Sequence, residues 1–187
     1  MKQRLIICLL VLIPLLANAQ RGLAQASFSD DYINWSSDHK LSWNDYKADP
    51  DPASDAAAST TTLLTISYNI NSTGFTYSIQ SRFSKRRSWG LYKTSYILSH
   101  EQGHFDIAEV FARKLNQRMM DYHFNQRNYE RDLKKIYDDI LEEKTTMQDQ
   151  YDAETNHSIN RTKQEEWFRK IADLLEATKE YANYSTH

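Results

Sequence analysis

From Ile97 to its C-terminus the chain has no proline and a single glycine, Gly103, while all three prolines and the other three glycines come earlier. That divide bounds the fold, because Gly and Pro are the residues that most reliably interrupt regular helices. Behind it the apolar period is helical. Leu133, Ile136, Tyr137, Ile140 and Leu141 share one face of a helix over roughly 128–151, and Trp167, Phe168, Ile171, Leu174 and Leu175 share one over roughly 160–181. Ahead of it the period is two. "TTTLLTISYNI" (60–70) and "GFTYSIQSRF" (74–83) are β-branched and aromatic, and the turn-like "NSTG" between them makes a hairpin. "LSWNDY" (41–46) alternates like a short strand and leads into the loop "KADPDPASDAAAS"; "SWGLYKTSY" (88–96) reads as a further strand or a lead-in to the first helix. A small antiparallel sheet followed by three helices is an α+β arrangement.

The N-terminus carries an export signature. Lys2 and Arg4 precede an apolar run at 5–16, and Ala17-Asn18-Ala19 offers the small-x-small pattern of a cleavage site. Residues 1–19 are therefore expected to be a signal peptide and 20–187 a single domain in the periplasm or the medium. The run is short for a bilayer, and no later segment is apolar enough to span one. Cys8, the only cysteine, leaves with the signal, so neither disulfides nor thiolate ligands are expected in the mature chain. Losing Lys2 and Arg4 leaves 21 basic against 25 acidic side chains, and "SKRRS" (84–88) is the densest basic stretch. Nucleic acid is not an expected partner.

The first helix contains "HEQGH" at 100–104. At about 100° per residue, His100, His104 and Glu101 fall within an arc of about 100°. Two imidazoles at this spacing reach one tetrahedral zinc, with the glutamate beside a bound water as general base. Ile107, Ala108, Phe111, Ala112 and Leu115 lie on the same side, so the motif points into the domain; Asp106, Glu109 and Arg113 fall on the other. Burying Glu101 and two imidazoles without partners costs several kcal/mol, a difficulty a divalent ion removes.

Such a zinc takes a third protein ligand and leaves a fourth position open. The first two helices are about 30 and 35 Å long, so an antiparallel pair returns the chain to the level of the motif. What arrives is "YDAETNHSIN" (151–160). His157 is the favoured third ligand, with Asp152 orienting an imidazole or substituting for it, and Glu154 third in order. Tyr151, Tyr96 and Tyr92 are candidate oxyanion donors, and 88–96 is a candidate edge for an extended peptide.

These residues carry a resemblance. "LSWNDY" resembles the Leu-x-Trp motif, "HEQGHFDIAE" the His-Glu-x-x-His helix and "YDAETNHS" the Tyr-Asp-x-x-Thr-x-His element of a bacterial family of secreted proteins. That family is a domain of unknown function described as predicted zinc-dependent proteases. Ser158 stands where that family usually has glycine. The resemblance implies a zincin-like metallopeptidase that uses Zn2+ to hydrolyse a peptide or protein substrate, cell-wall peptide among the candidates. The alternative is a non-catalytic, zinc-stabilised binding or structural module of the cell envelope. An intact Glu101 favours the enzyme, since a structural zinc has no use for a base.

Overall fold

The computed structural model describes residues 30–71 and 74–184; the expected signal segment lies outside them. From Ile33 onward the chain forms one compact unit. The expected α+β arrangement is what the chain adopts.

The hairpin pairs β3 (Thr62–Asn71) with β4 (Gly74–Ser84) antiparallel, in a register that sets Leu64 opposite Ser81 and Ile66 opposite Ile79. The alternation that marked these strands decides which face is covered: Tyr77, Ile79, Ser81 and Phe83 of β4 are buried. β1 (Tyr32–Asn34) lies on the other side of β4, giving the order β1-β4-β3. A second, two-stranded sheet joins β2 (Ala58–Ser59) to β5 (Trp89–Gly90). The segment at 88–96 therefore supplies only a two-residue strand, after which Thr94 caps the first helix by accepting the N–H of Ile97.

"LSWNDY" is not a strand. Residues Trp43–Asp45 form a 3-10 turn, because the Asp45 carboxylate reaches back to accept the backbone N–H (2.8 Å) and hydroxyl (2.7 Å) of Ser42. The alternation in this stretch has another cause: Leu41 and Tyr46 both plug into a cluster with Phe83 and Phe105.

Three helices follow: α1 (Ser95–Met120), α2 (Tyr129–Thr155) and α3 (Arg161–Ala177). Their main core unites Ile107, Phe111 and Leu115 of α1, Ile140 and Tyr151 of α2, and Trp167 and Ile171 of α3 with Leu64 and Ile79 of the sheet. The helix wheel of α1 predicts a face of Asp106, Glu109 and Arg113 turned from the core. Instead Glu109 and Arg113 are buried. Residues from both ends of the described chain cover that face. The Trp35 indole donates to Asp106 (2.7 Å) and lies under the Arg113 guanidinium, while Tyr184 donates to Glu109 (2.5 Å). Burial pushes the Glu109 carboxyl above its ordinary value, against the pull of Tyr184 and Arg113. Among the described residues no helix is long and apolar enough to cross a membrane.

Candidate metal centre

The N-terminal half of α1 faces the C-terminal turns of α2, as the hairpin geometry predicts. His100 and His104 turn their Nε2 atoms toward each other at 3.2 Å, and Oδ1 of Asp152 stands 3.1 Å from the first and 3.0 Å from the second. These three residues form a group able to hold a metal ion. Zinc bonds of about 2.0 Å to nitrogen and oxygen in a tetrahedron place ligand atoms about 3.3 Å apart, so the observed triangle has nearly the right size.

Protons strengthen that reading. Gln164 donates its amide N–H to the Tyr151 hydroxyl (2.6 Å), which itself donates to the His100 carbonyl (3.1 Å). Its amide oxygen is therefore the atom that faces Nδ1 of His100, at 2.7 Å. Gln148 donates to the carbonyl of His104 (2.9 Å) and so turns its oxygen to Nδ1 of that ring. An amide oxygen only accepts, so both Nδ1 atoms carry a proton, and each ring turns its Nε2 to the shared space with Asp152. Two neutral Nε2 atoms and a carboxylate oxygen converging on one point repel, and either a proton on a ring or a metal ion among them relieves that repulsion. Burial pulls the His104 pKa down, yet Asp152, Glu101 and Gln148 outweigh it and leave the ring above the ordinary histidine value. For Asp152 the burial effect, upward, is likewise overcome by the two imidazoles, which hold its carboxyl far below the usual range.

Glu101 completes the wall. Its side chain is 4% exposed, and among the described residues its Oε2 has no hydrogen-bond partner. Buried polar atoms in this condition are rare, and a water, an ion or a catalytic role is among the reasons for one. Glu101, the two histidines and Asp152 line a cleft of about 550 Å³ that the stretch 56–62 and Trp89 also line. Of the segment at 88–96, Trp89 reaches the cleft, paired with Ser59 of that stretch.

The other sequence candidates are placed as follows. His157 reaches the cleft but is 67% exposed, with Nδ1 3.7 Å from Asp152 Oδ1. It stands next to the three-donor group rather than in it. Asn156, His157 and Ser158 are consecutive left-handed residues (φ 47°, 50° and 72°), which gives a physical reason for glycine at the position Ser158 occupies. Glu154 points away, accepting from Gln150 (2.6 Å) and the Trp167 indole (2.8 Å), so it is not an alternative ligand.

Two of the three tyrosines have their hydroxyls committed to backbone carbonyls. Tyr151 is fully buried behind His100, its ring stacked at 4.5 Å and its hydroxyl committed to the helix backbone. Tyr96 donates to the carbonyl of Ser158 (2.8 Å) and tethers the α2–α3 turn. Tyr92 is exposed. Sequence reasoning passed over Gln148 and Gln164. A signal existed for Gln164, which lies three and seven residues before Trp167 and Ile171 on the apolar face of α3.

Fold and site together define an α+β protein with a two-histidine, one-carboxylate centre in an open cleft. The chain belongs to the family described as bacterial protein of unknown function (DUF922), whose model matches residues 18–158. No curated protein and no solved structure matches it.

Proposed function

We propose that the protein is an exported zinc-dependent metallopeptidase with a zincin-like arrangement, a single domain following a signal peptide at 1–19 and working in the periplasm or the medium. The observation that carries this reading is the unpartnered, buried Oε2 of Glu101 beside the His100, His104 and Asp152 donors in an accessible cleft. The donor set of two imidazoles and a carboxylate suits zinc, which takes the place of a proton at Nε2. When bound, zinc supplies Lewis acidity, lowering the pKa of a water to about 7 and drawing charge from a carbonyl. Glu101, beside these donors, would be the base that takes a proton from a water in the cleft and returns it to the departing amine nitrogen. Gln148 and Gln164 fix the tautomers, and Tyr151 holds the His100 ring flat against the α1–α2 seam.

The test is metal analysis of the mature chain with a peptide-library digest, both repeated on Glu101→Gln. Expected are one zinc per chain in both proteins and a loss of hydrolysis of about 10²–10⁴-fold in the variant. Unchanged hydrolysis in Glu101→Gln refutes the base assignment. Zinc retained with no hydrolysis by the wild type instead favours a zinc-stabilised binding module.

A further inference from the structure

The cleft contains one cation whose role the metal centre does not explain. Lys144 lies on α2 four residues before Gln148 and eight before Asp152, so all three share one stripe of the helix and all three line the cleft. Other lysines near carboxylates on these helices pair locally: Lys134 with Asp138, Lys135 with Asp139, Lys163 with Glu166. Lys144 cannot do so. Its partner position one turn on is Gln148, which is committed to His104, and the neighbouring Glu143 is taken by Arg118. The acids of the cleft are no substitute, since Asp152 is held by the imidazoles and Asp51 accepts the N–H of Ala53. Among the described residues the Lys144 ammonium has neither an ion pair nor a hydrogen bond. Burial lowers its pKa from the ordinary 10.5, a cost that an arriving anion offsets.

We propose that Lys144 is a specificity-determining residue whose ammonium takes a carboxylate of a peptide lying along the cleft. Eight residues of helix separate it from Asp152 by about 12 Å. An extended peptide covers that distance in about three to four residues, and the reach of the two side chains widens the window to about two to four residues from the bond at the metal centre. The inference rests on the peptidase reading for the identity of the occupant. Its test is read on binding, so the two fail separately.

Zinc-loaded Glu101→Gln protein is titrated with fluorescent peptide pools in which Asp replaces Asn at each position, each pool with a free and an amidated C-terminus. The carboxylate form is expected to bind about ten- to a hundredfold tighter at one window of positions. Lys144→Met abolishes this preference, Lys144→Glu inverts it and Lys144→Arg restores it, with zinc content and circular dichroism unchanged as folding controls. A preference that follows internal Asp assigns a side-chain carboxylate, and one that follows the free end assigns the terminal carboxylate. Equal binding of acid and amide pools, including no binding of either, overturns the proposal, as does a preference that survives in Lys144→Met. Carboxylate-dependent binding without cleavage of any peptide by the wild type sinks the peptidase reading alone.

Discussion

Replacing Gly103 with alanine puts a methyl group where Tyr151 already sits. The new Cβ would collide with Oη and stand 2.9 Å from Cζ and 3.1 Å from Cε1 of that ring. In an isolated helix the same change stabilises by about 1 kcal/mol. Here the ring has nowhere to go: it stacks on His100, packs at 5.3 Å against Trp167, and its hydroxyl is gripped by Gln164 and the His100 carbonyl. Overpacking of this kind costs about 1–3 kcal/mol, and each disturbed hydrogen bond adds about 1 kcal/mol. Net of the helix gain, we expect a loss of about 2 kcal/mol, or about 4–8 °C of Tm for a chain of this size. Urea unfolding of metal-free protein measures it. Tyr151→Phe removes the closest atom, so Gly103→Ala with Tyr151→Phe should lose less than the two single changes added, by about 1 kcal/mol. A Gly103→Ala protein at or above wild-type stability, or strict additivity in the double variant, would refute the claim that the two helices meet through this ring.

Asp152→Ala should weaken zinc binding more than His157→Ala does, measured by competition with a chromogenic chelator; the reverse order would make the histidine the third ligand. Glu109 sets a pH dependence away from the metal. Its folded pKa is raised above the ordinary 4.5, so its contribution is complete below that value and is lost as pH climbs through the raised one. Glu109→Gln should flatten that part of the stability profile in urea melts from pH 4 to 8, and a slope identical to wild type would sink the assignment.

The helices were legible because their signal is local. A turn brings Leu133, Ile136, Tyr137 and Ile140 together whatever else the chain does, and the observed α2 runs to Thr155, a few residues past the predicted end. The pairing of His100 with His104, and the return of α2 to their level, follow from helix pitch alone. Three things were not legible. The turn at Trp43–Asp45 depends on one carboxylate reaching back to Ser42, which alternation cannot reveal. The burial of Glu109 and Arg113 depends on Trp35 and Tyr184, 74 and 75 residues from Glu109 in opposite directions. The choice between Asp152 and His157 depends on the left-handed turn at 156–158, which leaves the imidazole largely exposed while the carboxylate stays between the two rings.

The two sides of the cleft are chemically unequal. Every donor atom sits on the helical side, whereas the facing strip at 56–62 reads Ala-Ala-Ala-Ser-Thr-Thr-Thr and contains no ionisable group. Enlarging or polarising a side chain there reshapes the groove without replacing His100, His104 or Asp152. The outline of the groove can therefore drift across a lineage while the His100, His104 and Asp152 group stays as it is.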